Sequence, residues 1–178
     1  KVPTEVLYFA HGKALMRWNW RSGKDGSVDK PVEIASFDAE LGTLAAFVNA
    51  NDELLFFFTE MGGGSGKENF LHVYNSATLE QRVVSLGNRP DPIIDMEIDT
   101  LGKYAYCAES RVDVISGATF GGPDAVYRVS LKDGAVETVL DTSLLALPNE
   151  EVFLRGITVL PDGMVCTVTH QQRVKGKD

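Results

Sequence analysis

Short apolar runs separated by turn-forming residues recur along the sequence, at a length and spacing typical of β-strands. The predicted strands are Glu5–Ala10, Ala14–Trp20, Pro31–Ser36, Leu44–Asn49, Glu53–Thr59, Phe70–Asn75, Glu80–Leu86, Pro92–Ile98, Lys103–Ala108, Ala125–Ser130, Ala135–Leu140, Leu154–Leu160 and Met164–His170. A helical period is weak almost everywhere. The exception is Ser143–Val152, which we expect to hold one helical turn within a loop.

The turns between these strands fall into two alternating groups. The first group joins one apolar run to the next and comprises Asn51-Asp52, Leu101-Gly102 and Asp162-Gly163. The second group comprises Gly23–Gly26, Ser76–Thr78 and Lys132–Gly134. Members of one group recur at intervals of roughly 50 to 60 residues, which is typical of repeats built from four short strands.

Grouped by these turns, the strands form sets of three, four, four and two, with approximate boundaries 1–37, 43–87, 92–141 and 154–178. The predicted fold class is therefore all-β: about three and a quarter four-stranded antiparallel sheets, arranged as blades of one partial β-propeller domain over 1–178. A β-sandwich is the alternative, because it also has frequent turns between short strands. The tandem alternation of the two turn groups favours the propeller.

The number of predicted blades has a structural consequence. A propeller closes into a ring and so avoids exposed sheet edges, which three and a quarter blades do not achieve in the usual way. We therefore expect either a piece of a longer protein or an assembly in which another chain supplies the remaining blades. Of the two, we favour the piece.

Two stretches of the sequence resemble a known family. The first is VYRVS, KDG and ETVL within Val126–Leu140, and the second is RGITVLPDG at Arg155–Gly163. They resemble six-bladed propellers of the SMP-30/gluconolactonase and strictosidine-synthase-like group, and NHL-type and YVTN-type propellers have similar motifs. The resemblance implies a propeller fold and, for the SMP-30 members, a metal-dependent lactonase acting on a small molecule in the channel. That group often has a metal-binding Asn where this chain has Arg155, and a guanidinium does not bind a cation.

Composition and charge narrow the classes of partner. The chain has 44% hydrophobic and 24% charged residues and a net charge of −8, which is ordinary for a globular domain. It has no basic stripe, so we expect no nucleic-acid partner. No apolar run is long enough to span a membrane. The sequence predicts no cofactor, and the one ion that its carboxylates suggest is calcium.

Carboxylates alternate along the strand that holds Asp95, Glu97 and Asp99, so they share one face of the sheet. Asp95 lies early in the strand predicted to be innermost, near the central channel. It is the best candidate for a ligand or metal contact, although the sequence does not assign a metal. The alternative is structural, because Arg155 in the next blade is a possible ion-pair partner for this carboxylate.

Long connections are predicted to gather on one face of the propeller, and short turns on the other. The long connections are Phe37–Thr43, Glu60–Asn69, Gly87–Asp91, Glu109–Asp124 and Asp141–Phe153. Glu60, Glu109 and His170 are predicted to lie at equivalent strand ends on this face, where they are candidates to converge on a ligand. The alternative is that strand ends are polar simply because solvent reaches them.

No combination of residues in the sequence defines a catalytic centre. Gly62–Lys67 resembles a phosphate-binding loop, but Met61 replaces its first Gly and Glu68 replaces its Ser or Thr. The leading hypothesis is thus a non-catalytic binding or scaffolding propeller module, whose partner is another protein or the remainder of the propeller. The alternative is the metal-dependent lactonase or hydrolase that the SMP-30 resemblance implies.

Overall fold

The computed structural model describes residues 6–19, 30–61, 67–89, 91–110, 124–147 and 150–173. Within them the chain forms β-strands joined by turns, with a single turn of 3-10 helix at Thr142–Leu144. The strands are β1 Val6–His11, β2 Ala14–Asn19, β3 Val32–Ser36, β4 Leu41–Val48, β5 Leu54–Glu60, β6 Lys67–Asn75, β7 Gln81–Arg89, β8 Ile93–Ile98, β9 Tyr104–Glu109, β10 Ala125–Ser130, β11 Val136–Asp141, β12 Glu150–Val159 and β13 Val165–Arg173.

Four antiparallel sheets follow one another in chain order. The first is β1-β2-β3, the second β4-β5-β6-β7, the third β8-β9-β10-β11 and the fourth β12-β13. The predicted grouping of three, four, four and two strands is therefore confirmed, as is the all-β fold class. The described sheets do not close into a ring, and their arrangement is that of successive β-propeller blades.

The sheets pack face to face, with an apolar core between each neighbouring pair. Strand β5 shows how a period of two builds these cores: Phe56 and Phe58 face the first sheet, whereas Phe57 faces the third. The core between the third and fourth sheets contains Tyr106 and Leu154. Because β5 is apolar on both faces, the second sheet lies between two others.

The first strands of the second, third and fourth sheets lie side by side. Strand β8 contacts both β4 and β12, and the Thr43 hydroxyl donates to the carbonyl of Ile93 at 3.0 Å. These are the positions of innermost blade strands. Each of the three strands has a β-bulge, near the start of β4 and β8 and in the middle of β12, which bends the strand locally.

The two ends of the third sheet differ, one being a loop end and the other a turn end. At the loop end, β9 finishes at Glu109 and β10 begins at Ala125. At the turn end, short turns join β8 to β9 and β10 to β11.

The helical turn predicted within 143–152 is found at Thr142–Leu144, and it begins where the Asp141 side chain accepts a hydrogen bond from the amide of Ser143 at 2.8 Å. No helix in the described ranges has the length and apolar character needed to cross a membrane.

Candidate functional site

Asp95 accepts hydrogen bonds from two main-chain amides, one in the fourth sheet and one in its own strand. Its Oδ2 accepts a hydrogen bond from the amide of Ile157 at 2.9 Å, and its Oδ1 accepts from the amide of Met96 at 2.9 Å. A Cβ at Gly156 would lie 3.1 Å from Oδ2, so the glycine allows the carboxylate to approach β12 closely. The side chain is half-buried, and its two oxygens connect the inner strands of two neighbouring sheets.

Among the described residues Asp95 is bound by the amide of Ile157 and not by Arg155, the ion-pair partner considered as the structural alternative. Arg155 is the additional residue in the bulge between Leu154 and Gly156, and its side chain is exposed. Its guanidinium carbon lies 5.8 Å from the centre of the Phe153 ring. The physical reason is that the bulge presents a main-chain amide to Asp95, which satisfies the carboxylate without a side-chain cation.

A second carboxylate holds the same bulge from the other side. Asp124 is fully buried, and its Oδ2 accepts from the amide of Leu154 at 2.6 Å and from the hydroxyl of Ser110 at 2.8 Å. Its carbonyl accepts from the amide of Thr142 at 2.9 Å. Asp124 thus joins the end of β9, the start of β10 and strand β12. Sequence reasoning missed this residue, whose only signal is an Asp placed directly before a predicted strand.

Glu109 is a buried residue at the loop end, not an exposed ligand group. Its side chain has no exposed surface and accepts hydrogen bonds from the Tyr127 hydroxyl and, at 2.9 Å, from the amide of Asp91. Asp91 is itself fully buried. The sequence placed Glu109 among solvent-reached strand ends, whereas packing of β8, β9 and β10 encloses it.

Glu60 lies in a different environment, at the end of β5. Its Oε1 is 2.8 Å from His72 Nε2, and Gln81 Nε2 is 3.0 Å from His72 Nδ1. An amide nitrogen donates, so Nδ1 accepts and the Nε2–H donates to Glu60. The His72 ring stacks on Phe58 with ring centres 4.9 Å apart. The side chain of Glu60 is one third exposed, so this pair lies at the edge of the core between the first and second sheets.

The three strand-end candidates do not occupy equivalent positions. The inner strands pair Ala45 with Phe57, Asp95 with Ala108 and Gly156 with Val168. Along the second strands, Glu109 follows its reference residue Ala108 by one position. His170 follows Val168 by two positions, and Glu60 follows Phe57 by three. His170 lies in β13 opposite Phe153, and the surroundings of its side chain fall outside the described part of the structure. Glu60 and Glu109 lie in different environments, and the convergence of the three groups on a ligand stays a prediction.

Asp95 and Glu97 in β8 and Asp99 directly after it have three different environments. Asp99 accepts from the amides of Lys103 at 2.6 Å and Tyr104 at 2.9 Å, and so closes the turn after β8. Burial raises the pKa of the Glu97 carboxyl above its usual value, and the charge of Asp95 raises it further. Within the described ranges, no three His, Cys, Asp or Glu side chains are grouped so that they could hold a metal ion.

Comparison with known proteins adds no family to this description. No protein-family model matches the chain, and no curated protein matches it. The glycine-rich segment 62–66 and the connection 111–123 lie outside the described residues. The site that the structure does define is the loop end of the third sheet, where buried carboxylates hold the residues on both sides of 111–123.

Proposed function

We propose that this chain is a non-catalytic β-propeller module that binds a protein partner through the connections at its loop end. The observation that carries the proposal is the hydrogen bond between Ser110 and Asp124, 2.8 Å long and fully buried. These residues come immediately before and after segment 111–123, so the ends of that segment are held together on the sheets. Binding segments supported by a rigid scaffold are a common way for folds of this kind to function.

The supporting contacts extend from Asp124 into two sheets. Its side chain accepts from Leu154 of β12, and its carbonyl accepts from Thr142, which begins the 3-10 turn. Glu109, one residue before Ser110, is held by Tyr127 and by the amide of Asp91. The carboxylates of Asp124 and Glu109 accept hydrogen bonds from the protein itself and so stabilise the scaffold. This favours a structural role for them over a catalytic one.

The sequence of the segment indicates the kind of partner. Between Arg111 and Pro123 it contains apolar residues and small residues, with Asp113 as its one carboxylate. The apolar members are Val112, Val114, Ile115, Ala118 and Phe120. Apolar and aromatic side chains are enriched at the centres of protein interfaces, so we propose a protein rather than a small ion as the partner.

The test replaces residues 112–122 by a Gly/Ser sequence of equal length in the full chain. We expect unfolding by urea to change little, because the Ser110–Asp124 contact remains, while a partner protein isolated with the native chain no longer binds. The purified partner is then titrated by calorimetry against both forms. Equal affinity of the partner for both forms would overturn the proposal.

A metal-dependent lactonase is the second candidate, and it rests on the resemblance of Val126–Leu140 and Arg155–Gly163 to the SMP-30 group. Its test is hydrolysis of a panel of small lactones by the native chain with and without Ca²⁺. The Asp95→Asn variant is the matched control. Calcium-dependent hydrolysis that this substitution abolishes would replace the binding module as the function.

A further inference from the structure

The connection between β11 and β12, at the loop end, carries three exposed leucines. Leu144 is 80% exposed, Leu145 43% and Leu147 64%. Leu144 ends the 3-10 turn, and Leu145 follows it directly. Single exposed leucines are ordinary on a protein surface, whereas a group of them within four positions forms the kind of apolar patch that marks an interaction site.

The step between neighbouring sheets does not require these leucines. The connection from β3 to β4 makes the same step with residues 37–40, whereas the connection from β11 to β12 extends over 142–149. In both, the first residue packs inward: Phe37 lies on the Phe58 ring, with centres 4.4 Å apart, and Thr142 is buried. The exposed leucines therefore belong to the additional length of the second connection.

The leucine turn, residues 142–147, has a fixed position beside the candidate site. The amide of Thr142 donates to the carbonyl of Asp124 at 2.9 Å, and the amide of Leu145 donates to the carbonyl of Thr142 at 3.0 Å. Strand β12 contacts the same turn. Because the main chain is already ordered while the leucine side chains reach solvent, a partner that binds them loses little additional conformational entropy.

Charge indicates which partner fits this surface. Residues 133–154 include carboxylates but no Lys or Arg, and Asp141, Glu150 and Glu151 flank the leucines in the chain. Arg173 lies opposite Glu150 in the β12–β13 ladder, and the chain as a whole has a net charge of −8. An apolar patch with acidic flanks fits a partner whose apolar residues are flanked by Lys or Arg, and it disfavours the anionic surface of a membrane.

We infer that the leucine turn docks a basic amphipathic helix of a partner protein, with Leu144 and Leu147 on the apolar face of that helix. The inference rests on the proposed function, because it names the partner chemistry for the same loop end. A helix with apolar residues at every third or fourth position presents one apolar stripe bordered by charged residues. A single segment of the partner thus supplies both the apolar and the basic groups.

The experiment titrates the native chain into a fluorescent helical peptide of Leu and Lys, with all leucines on one face, and follows the anisotropy. We expect saturable binding. Joint replacement Leu144→Ser and Leu147→Ser should weaken the affinity at least about tenfold, because two apolar contacts are lost. Leu101→Ser is the matched control: Leu101 is 69% exposed, lies at the turn end of the same sheet, and should not affect the affinity. A peptide with Glu in place of every Lys should bind at least about tenfold more weakly.

Several results would overturn the inference. Absence of saturable binding, or equal affinity of the double Ser variant, would remove the leucine turn as a docking surface. Equal affinity for a peptide of the same composition with its leucines distributed around the helix would mean that charge alone attracts it. A lower urea midpoint for the double Ser variant would mean that the leucines pack within the chain. Binding to phosphatidylcholine vesicles that the two substitutions abolish would identify lipid as the occupant.

The proposed function has a separate readout. The peptide titration depends on Leu144 and Leu147, whereas the partner titration compares chains with and without the native residues 112–122. Loss of the partner on replacing 112–122, with no peptide bound at the leucine turn, would overturn this inference and leave the proposed function. Leucine-dependent peptide binding, with equal partner affinity for both forms, would overturn the role of 112–122 and leave the leucine turn as a docking surface.

Discussion

The contact between the second and third sheets buries mainly apolar side chains, with hydrogen bonds to main-chain carbonyls at two points, whereas the contact between the third and fourth sheets adds carboxylates that accept hydrogen bonds from main-chain amides. Aligned by their hairpins, Ala45 and Phe47 of β4 occupy the places of Asp95 and Glu97 of β8. Phe47 packs against the core between the second and third sheets and reaches Gly102, where a Cβ would lie 2.4 Å from its ring. Asp95 instead accepts a hydrogen bond from Ile157.

The difference shows two ways of stacking the same structural unit. Burial of apolar surface stabilises the contact of the second and third sheets but is not directional. Hydrogen bonds from main-chain amides to Asp95 and Asp124 are directional, and they fix the bulge in the middle of β12 at Leu154 and Ile157. The hydrogen bonds of Asp124 lie next to the proposed binding segment 111–123. There the exact position of the strand ends that hold the segment matters more than the apolar area that they bury.

Of the substitutions that test this difference between the two contacts, removal of the buried Asp124 carboxylate should lower the free energy of unfolding most. Asp124→Ala leaves the amide of Leu154 and the hydroxyl of Ser110 without their acceptor in a buried site. We expect the free energy of unfolding to fall by about 3 kcal/mol, measured by urea denaturation. Asp38→Ala, at an exposed carboxylate, is the control and should change it by less than about 0.5 kcal/mol. Equal effects would mean that Asp124 does not hold β12.

Adding one methyl group at Gly102 should weaken the apolar contact between the second and third sheets. Gly102 has φ +64°, and its new Cβ in Gly102→Ala would meet the ring of Phe47. We expect a loss of about 2 kcal/mol from backbone strain and overpacking. In a double-mutant cycle with Phe47→Leu, part of that loss should be recovered. Strict additivity of the two substitutions would contradict the steric explanation.

Asp95→Asn tests the polar contact without removing its acceptor oxygen. We expect unfolding to become easier by about 1 kcal/mol, because a neutral amide accepts the amide of Ile157 less strongly than a carboxylate does. Addition of Ca²⁺ should leave the melting temperature of both forms unchanged. Stabilisation of the native form alone by calcium would make Asp95 a cation ligand.

Glu97→Gln should change the free energy of unfolding least, and the change should depend on pH. The folded-state pKa of Glu97 lies above its usual value of 4.5, so the folded state holds its proton more tightly than the unfolded chain does. The native chain therefore loses stability as pH rises from 4.5 through that raised pKa. The Gln variant should be slightly more stable above this window, by less than about 0.5 kcal/mol, and this advantage should disappear below it. Thermal melts from pH 3.5 to 8 provide the measurement, and a pH-independent difference would contradict this assignment.

Much of the fold could be predicted because its signals are local. Alternation in runs such as Phe56-Phe57-Phe58, and turn residues such as Gly102 and Gly134, depend on neighbours a few positions away. These signals predicted the strands and their grouping into sheets. Strand ends differed by a few residues, as at Glu150, because end pairing depends on the neighbouring strand.

The candidate site was less predictable because its contacts are long-range. Asp95 was identified as a site residue, but its partner turned out to be the amide of Ile157 rather than the side chain of Arg155. Any residue except proline supplies a main-chain amide, so no sequence motif marks it. For the same reason no sequence motif indicates that the contacts of Asp124 join three strands.

The sequence by itself determined the all-β class, the number of strands and the order of the sheets, because hydrophobic period and turn chemistry act over short distances. Only the tertiary structure decided which carboxylates are buried and what they bind. Glu60 and Glu109 are the same residue type near the ends of neighbouring second strands, yet one is partly exposed beside His72 and the other is enclosed with Tyr127. Burial is a property of the stacked sheets, and a one-residue change in register reverses the face on which a side chain lies.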